Sequence, residues 1–270
     1  MADTRTRRGH GVVARLLVVL SLLIVAAVVV WVVRVVTASD TDARSPAAGV
    51  EPAAVEPDSA APIEAVDTGP GAVAPERSAG VETLRAWANK LTGPTGVPAR
   101  ALMAYGNAEL VVRTAMPRCG LSWATLAGIG RVESDHGRYG GAVLGADGRP
   151  SIPIIGVPLD GSPGVRAIAD TDRGELDGDA AADRAVGPMQ FIPSTWRKWG
   201  ADGNGDGVAD PQQIDDAALA AGRYLCAQGR DLTSAKGWWG AVFSYNNSVE
   251  YGQKVFGLAD EYARRAAARG

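Results

Sequence analysis

The sequence predicts a mainly α-helical domain at residues 80–270, preceded by an apolar segment and a proline-rich stretch. Three observations lead to this fold class. Apolar residues recur at spacings of three and four along several segments of the domain. Residues that favour helix starts precede those segments. Strand-like patterns are short and confined to IPII at 152–155 and VPLDG at 157–161.

The first element is a candidate transmembrane signal-anchor at residues 16–34. Its first 18 residues carry no charge, which is enough for a helix to cross a bilayer. Basic residues dominate before it, so residues 1–15 are expected in the cytoplasm and the remainder outside. The sequence Val-Thr-Ala at 36–38 resembles a signal cleavage site, and secretion after cleavage is the alternative. Both interpretations export the domain.

The second element, residues 35–79, has the composition of a disordered linker. It contains six prolines, no aromatic residue, and eight acidic against two basic side chains. Such a stretch cannot bury enough apolar surface to fold by itself, and we expect an extended, solvated spacer. A spacer of this kind suits an exported domain whose target lies some distance from the membrane.

The third element is the helical domain itself. Pro98 opens a periodic segment that runs to 115, and Ser122 is a suitable N-cap for a helix over 123–134. Further helices are predicted, in chain order, at 192–199 with Pro193 at its first turn, 215–228, 237–246 and 250–266. Long glycine-rich loops connect these helices, above all at 136–188.

Composition excludes several classes of function. The formal net charge of -3 gives no basic face for nucleic acid. Two histidines and two cysteines cannot supply a multi-ligand zinc site. Outside the cell, Cys119 and Cys226 are expected to form a disulfide. The alternatives are two free thiols, or a catalytic cysteine with His136 as its base.

Glu133 is the first candidate for chemistry. It stands in the last turn of the 123–134 helix, on the same face as Leu126 and Gly130. Burial and the negative end of the helix dipole would both raise the pKa of its carboxyl, as a general acid needs. The alternative is a solvated glutamate paired with Arg131 or His136.

Four motifs follow in a fixed order: ESDHGRYGG from residue 133, AVGPMQFIPSTW from 185, DGNGDGVAD from 202 and YN at 245. With these motifs the chain resembles the lytic murein transglycosylases, most of all the membrane-bound lytic transglycosylase B type. The resemblance covers most of residues 95–256. It implies a lysozyme-like α domain that acts on peptidoglycan.

The resemblance also implies roles for individual residues. Glu133 matches the single catalytic acid of the family. Met189 and Gln190 match residues that line the sugar groove, with Gln190 near the acid. Tyr245 and Asn246 match the pair that flanks the scissile bond.

One position departs from the family pattern. A serine eight or nine residues before the glutamine often bonds the catalytic glutamate, but Ala181 and Ala182 stand there in this sequence. We therefore expect another group to orient Glu133, with Asp183, Arg184 and a water molecule as the candidates.

The implied reaction uses one carboxyl group. Glu133 would protonate the oxygen between N-acetylmuramic acid and N-acetylglucosamine, while the acetamido group of the substrate shields the cationic centre. The carboxylate would then take the proton of the muramyl 6-hydroxyl, which closes a 1,6-anhydro ring without water. Ordinary glycosidases use two carboxylates, and Asp135 and Asp183 remain candidates for the second. A muramidase, or a glycan-binding module without activity, are the alternative functions.

The 202–210 motif follows the start of an EF-hand calcium loop. The expected ligands are the side chains of Asp202, Asn204 and Asp206, the carbonyl of Val208 and, by resemblance to the family, Asp216 as the closing acid. Position 12 is Gln213 instead of the usual glutamate, so the loop is incomplete and a weak structural Ca²⁺ site is expected. The alternative is a polar turn that caps the next helix. The similar stretch 170–174 has glycine at position five and is interpreted as a solvated loop.

Overall fold

The computed structural model describes residues 46–62 and 77–268. The candidate signal-anchor at 16–34 and most of the predicted linker lie outside these residues. Within the described ranges, no helix is long and apolar enough to cross a membrane. The chain divides into two units, 1–48 and 49–270; residues 46–48 of the first unit are described and lie in a turn.

Helices make up most of the second unit. The helices are α1 Arg77–Thr95, α2 Ala99–Ala115, α3 Trp123–Ser134, α4 Pro193–Trp199, α5 Ile214–Leu225, α6 Ala235–Tyr245 and α7 Val249–Ala267. Two short antiparallel strands, β1 Ile155–Pro158 and β2 Arg184–Val186, form a small sheet with Ile155 opposite Val186 and Pro158 opposite Arg184. The predicted mainly α class is therefore confirmed.

Local signals located the starts of α2 to α7 to within two residues, whereas α1 was not predicted. The Oγ atom of Ser122 accepts a hydrogen bond from the amide of Ala124, as expected of an N-cap. Pro193 occupies the first position of α4. Strand β1 joins the ends of the two strand-like patterns, whereas β2 was not predicted because three residues within a long loop leave no periodic signal.

Helix α3 lies at the centre of the domain. Ten of its 12 residues are buried, and it packs mainly against α7 while α2 packs against α5. Its N-terminus is held by a second acceptor besides Ser122, since Oε2 of the buried Glu109 accepts the amide hydrogen of Trp123 at 2.6 Å. Glu109 also pairs with Arg113. These contacts fix the direction of the helix that carries Glu133.

The predicted disulfide is present. Cys119, just before α3, is bonded to Cys226 at the end of α5, with their Cα atoms 5.5 Å apart. Both cysteines of the chain are therefore used, which excludes the free-thiol and catalytic-cysteine alternatives.

Part of the predicted linker lies against the domain. Residues 49–62 run along α6 and α7, and the indole Nε1 of Trp239 donates to the carbonyl of Ala60 at 2.9 Å. The expectation of a solvated spacer does not hold for this stretch. Its side chains at 53, 55 and 57 are half-buried because they meet a helix surface that is formed only in the folded domain.

Candidate active site

Glu133 and Tyr251 form the centre of the candidate site. Glu133 is half-buried in the last turn of α3, and Tyr251 is buried in the first turn of α7. The Tyr251 hydroxyl donates a hydrogen bond of 2.6 Å to Oε1 of Glu133. The glutamate is thus oriented by a neighbouring helix and still reaches the surface of the domain.

A glycine allows α3 and α7 to approach closely enough for this bond. A Cβ atom at Gly128 would lie 2.9 Å from the carbonyl oxygen of Val255, a distance that side-chain carbons do not tolerate. Val255 stands one turn after Tyr251 on the same face of α7. The close crossing at Gly128 therefore places Tyr251 within reach of Glu133.

The surroundings of Glu133 favour its protonated form. Burial raises the pKa of its carboxyl to about 7, and the hydrogen bond from Tyr251 acts in the opposite direction by stabilising the carboxylate. Burial and the nearby Glu133 charge hold the pKa of Tyr251 well above its ordinary value, so its hydroxyl remains a donor. A carboxyl with a pKa near neutrality can donate a proton and later take one back.

The two candidates for a second carboxylate are occupied elsewhere. Asp135 pairs with Arg131 and Arg138 at 3.3 Å and 3.0 Å. Asp183 is fully buried and accepts hydrogen bonds from the amide and hydroxyl of Thr171, each at 2.8 Å. Both carboxylates are therefore engaged in contacts of their own.

The expected substitutes for the family serine have other roles as well. Arg184 pairs with Asp179 at 2.8 Å, and Asp183 is held by Thr171. Tyr251 takes the orienting position instead. The sequence carried a signal for it, because Tyr251 shares the core-facing stripe of α7 with Val255 and Ala259, and a hydroxyl on such a stripe needs a buried partner.

His136, one of the two alternative partners of Glu133, is engaged elsewhere. His136 is buried, and its Nδ1 lies 3.1 Å from the hydroxyl of Tyr105. Burial lowers the pKa of His136 well below its usual value, so the ring stays neutral. Glu133 is consequently neither a freely solvated side chain nor one half of an ion pair with His136.

Tyr245 belongs to the same site. Its hydroxyl donates to the carbonyl of Met189 at 2.6 Å, and the charge of Glu133 contributes to raising its pKa. Asn246 follows at the end of α6 and is exposed. The YN pair therefore combines one anchored aromatic ring with one amide that is free to meet a ligand from solvent.

The GPMQF segment forms a tight turn that packs against α3. Met189 is fully buried, and its sulfur lies beside Gly130 of α3, so its side chain supports the site from beneath. Gln190 has a left-handed φ of 48°, and its amide nitrogen donates to the carbonyl of Gly187 at 3.0 Å. The Gln190 side chain lies against its own turn and beside Gly156 of β1.

The loop at 202–216 contains the donor types that calcium prefers, and two of its carboxylates accept hydrogen bonds from backbone amides. Asp202 accepts the amides of Gly205 and Gly207 at 2.6 Å and 2.8 Å. Asp216, which is fully buried, accepts the amides of Gly203 and Asp210 at 2.7 Å and 2.9 Å. Each carboxylate has about four acceptor sites, so these hydrogen bonds leave acceptor sites that an ion could use.

A different set of acids converges in the described part of the chain. Carboxylate oxygens of Asp170, Asp172 and Asp183 all lie within 4.8 Å of one another. The stretch at 170–174 is therefore more than the solvated loop that its sequence suggested. Asp183 fixes this loop by accepting hydrogen bonds from Thr171. Because Asp183 lies more than ten positions further along the chain, the spacing of the acids within 170–174 did not predict the contact.

One family model and one solved structure are similar to parts of this chain. Residues 168–239 match the family model described as Transglycosylase SLT domain. Among solved structures, the chain is similar to the Escherichia coli lytic transglycosylase Slt35 in complex with bulgecin A. The identity is 14%, the match covers 70% of this chain and 79% of that chain, and the TM-score is 0.42. No curated protein matches the chain. The family model covers the GPMQF segment and the 202–216 loop, whereas Glu133 and the YN pair lie outside it.

Proposed function

We propose that this protein is a peptidoglycan lytic transglycosylase. It cleaves the β-1,4 bond between N-acetylmuramic acid and N-acetylglucosamine and leaves a 1,6-anhydro-muramyl end. The observation that carries the proposal is Glu133, half-buried, with its pKa raised to about 7 and a single tyrosine donor on Oε1. The family-model match at 168–239 supports the same class of substrate.

The first step uses Glu133 as an acid. Its protonated carboxyl transfers a proton to the glycosidic oxygen, the C1–O bond breaks, and N-acetylglucosamine leaves with a free 4-hydroxyl. The muramyl C1 carries the positive charge that develops, and the acetamido oxygen of the same sugar stabilises it. Tyr251 assists because its hydrogen bond stabilises the carboxylate that this step produces.

The second step uses the same residue as a base. The Glu133 carboxylate takes the proton of the muramyl 6-hydroxyl, and the 6-oxygen forms a bond to C1. This closes the anhydro ring and returns Glu133 to its protonated form, so no water is consumed. A pKa of about 7 suits both directions of proton transfer near neutral pH.

One carboxyl group is sufficient for ring closure. Most inverting hydrolases use a second carboxylate to activate water and most retaining ones use it as a nucleophile, whereas substrate-assisted enzymes replace that nucleophile with the acetamido group of the substrate. The two candidates that the sequence offered for a second carboxylate, Asp135 and Asp183, are held by arginines and by Thr171. The muramyl hydroxyl is delivered by the substrate itself, so one carboxyl group is sufficient.

The remaining implied residues contribute to binding. Exposed Asn246 is suited to form hydrogen bonds with the sugars on either side of the scissile bond. Tyr245 presents its aromatic ring, which is held in place by the hydrogen bond from its hydroxyl to the carbonyl of Met189. We propose that Gln190, which is half-buried beside β1, contributes to sugar binding from its turn. We propose that Met189 acts indirectly, through the support that it gives to α3 and Tyr245.

Product analysis tests the function. Purified peptidoglycan is digested with the wild-type protein and with the Glu133→Gln variant, and the soluble products are identified by mass spectrometry. We expect anhydro-muropeptides from the wild type and none from the variant. Reducing-end muropeptides would instead indicate a muramidase. Unchanged activity in the variant would show that Glu133 is not catalytic.

The finer assignments are proposals of the same kind. We propose the membrane-bound B type, with residues 16–34 as a single-pass anchor and the domain outside the cytoplasm. Carbonate extraction of membranes tests the anchor, which should keep the protein in the membrane pellet. Recovery of a mature protein that begins near residue 39 in the soluble fraction would support signal-peptide cleavage instead.

Calcium is proposed as a weak structural ligand of the 202–216 loop. The oxygen-rich donor set of Asp202, Asn204, Asp206, the Val208 carbonyl and Asp216 is of the type that Ca²⁺ prefers. When bound, the ion would tie the loop to the start of α5, which contains Asp216. Its contribution would be to stability, because Glu133 performs the proposed proton transfers.

A further inference from the structure

Residues 49–62, here called the strap, lie along the outer side of the α6–α7 pair. The amide of Ala53 donates to the carbonyl of Gln253 at 3.2 Å, and the side-chain amide of Gln253 donates to the carbonyl of Val55 at 2.9 Å. Trp239 donates from its indole to the carbonyl of Ala60 at 2.9 Å. The strap is thus bonded to both helices at three points along its length.

Burial alternates along residues 53–58 of the strap, where the backbone bends at 54 and turns at 57–59. Residues 53, 55 and 57 are half-buried, whereas 54, 56 and 58 are exposed. Pro62 at the end of the strap is buried. Prolines at 52, 57 and 62 restrict the backbone, which lowers the conformational entropy that the segment loses when it docks.

Helix α7 is packed differently on each of its sides. Tyr251 and Val255 face α3. Gly252 faces α6, where a Cβ atom would lie 2.5 Å from the ring of Trp239. Gln253 and Gly257 face the strap. The strap therefore covers the side of α7 that lies away from α3.

Gly257 makes the close approach of the strap possible. A Cβ atom at residue 257 would lie 3.3 Å from the Cβ of Ala53, which is tighter than ordinary contact. A large side chain at either position would force the strap and the helix apart. A glycine inside a helix lowers helix stability, and here it provides the space in which Ala53 sits.

We propose that the strap is a positioning segment of the catalytic unit: it holds α7 against α3 and thereby keeps Tyr251 bonded to Glu133. The domain accordingly begins near residue 49. The catalytic part of this inference rests on the proposed function, whereas the docking of the strap does not. The acidic, proline-rich composition that indicated a spacer is compatible with docking because the strap binds largely through its backbone.

The first test measures docking in the full-length protein in detergent. Ala53→Leu adds bulk at the half-buried position, and Ala54→Leu adds the same bulk at the exposed neighbour. Hydrogen exchange at 49–62 and cleavage after Glu51 and Glu56 by a Glu-specific protease report whether the strap is bound. We expect protection in the wild type and in Ala54→Leu, and its loss in Ala53→Leu. Equal protection in both variants would overturn the proposal.

A second pair of variants approaches the contact from the helix. Gly257→Leu should release the strap, whereas Gly240→Leu, in α6, should leave it bound, since a Cβ atom at Gly240 meets no atom within 4 Å. Both changes replace a helix-interior glycine, so their effects on helix propensity are matched. A strap that stays protected in Gly257→Leu would contradict the proposed contact.

The positioning role is tested by a double-mutant cycle on peptidoglycan turnover. If the strap acts through Tyr251, Ala53→Leu should lower kcat at least about threefold in the wild type and have little effect in a Tyr251→Phe background. If Ala53→Leu lowered kcat by the same factor in the wild type and in the Tyr251→Phe background, the coupling between the strap and Tyr251 would be refuted. If no variant or wild-type protein releases glycan products, the proposed function fails, and the exchange experiment still decides whether the strap docks.

Discussion

The hydroxyl of Tyr251 donates a 2.6 Å hydrogen bond to Oε1 of Glu133 and joins two residues that are 118 positions apart in the sequence. This bond gives a half-buried carboxyl a fixed orientation without supplying a charge. It stabilises the carboxylate form, while burial favours the protonated form and dominates, which leaves the pKa at about 7. The balance between the two effects is what allows one residue to serve as acid and base.

Removal of the Tyr251 hydroxyl should change both rate and pH dependence. In Tyr251→Phe, loss of the bond that stabilises the carboxylate should raise the pKa of Glu133 further. The limb of the kcat–pH profile that reports Glu133 should move to higher pH. Loss of orientation should lower kcat by about 10–100-fold. An unchanged profile with unchanged kcat would show that the bond has no role in catalysis.

Neutralisation of Glu133 should stabilise the fold while it abolishes activity. Because the folded pKa is raised, the native state binds more protons than the unfolded chain between about pH 4.5 and pH 7. Wild-type stability therefore falls as the pH rises through this window. The Glu133→Gln variant should lack this loss. Its free energy of unfolding should exceed that of the wild type by roughly 2–3 kcal/mol above pH 7 and equal that of the wild type below about pH 4.

Thermal unfolding across pH measures this difference. The melting temperatures of the wild type and Glu133→Gln should converge at acidic pH and separate as the pH increases. A constant difference across the whole range would mean that the carboxyl does not titrate with a raised pKa.

Calcium should raise the melting temperature through the 202–216 loop. Asp202→Ala should abolish the shift between chelator and added Ca²⁺, since it removes the first donor of the loop. Asp170→Ala is the matched control, because Asp170 belongs to the other acidic group, with Asp172 and Asp183. If Asp170→Ala alone abolished the shift, the ion would bind there, and indifference of the wild type to chelator would contradict any calcium site.

The disulfide should contribute substantially to stability. Cys119 and Cys226 are 107 residues apart, and closure of a loop of this size is worth about 3–5 kcal/mol. The Cys119→Ala, Cys226→Ala double variant should melt about 10 °C below the wild type. Reducing agent should lower the melting temperature of the wild type toward that of the variant and leave the variant unchanged. A variant as stable as the wild type would show that the crosslink is dispensable.

Features with local causes were predictable from the sequence. The Ser122 cap, the proline that starts α4, and the burial of Glu133 on an apolar helix face all follow from spacing and side-chain chemistry. The disulfide followed from export and the count of two cysteines. In each case the information lies within a few turns of chain or in composition.

Features that depend on long-range packing were not predictable in the same way. Tyr251 reaches Glu133 because Gly128 lets two helices cross closely, and a single sequence does not reveal that crossing. Asp183 joins Asp170 and Asp172 through the fold of a long loop. The strap has a linker composition, and its alternating contacts become apparent only when the α6–α7 surface is formed.

The most direct test of the account is digestion of purified peptidoglycan in heavy-oxygen water. Ring closure by the muramyl 6-hydroxyl introduces no solvent oxygen, so the new muramyl ends should be unlabelled and lighter than the reducing ends by one water. Hydrolysis would place a labelled oxygen at C1 of every new end. Unlabelled anhydro ends that depend on Glu133 are the predicted result, and labelled reducing ends would contradict the proposed one-carboxyl mechanism.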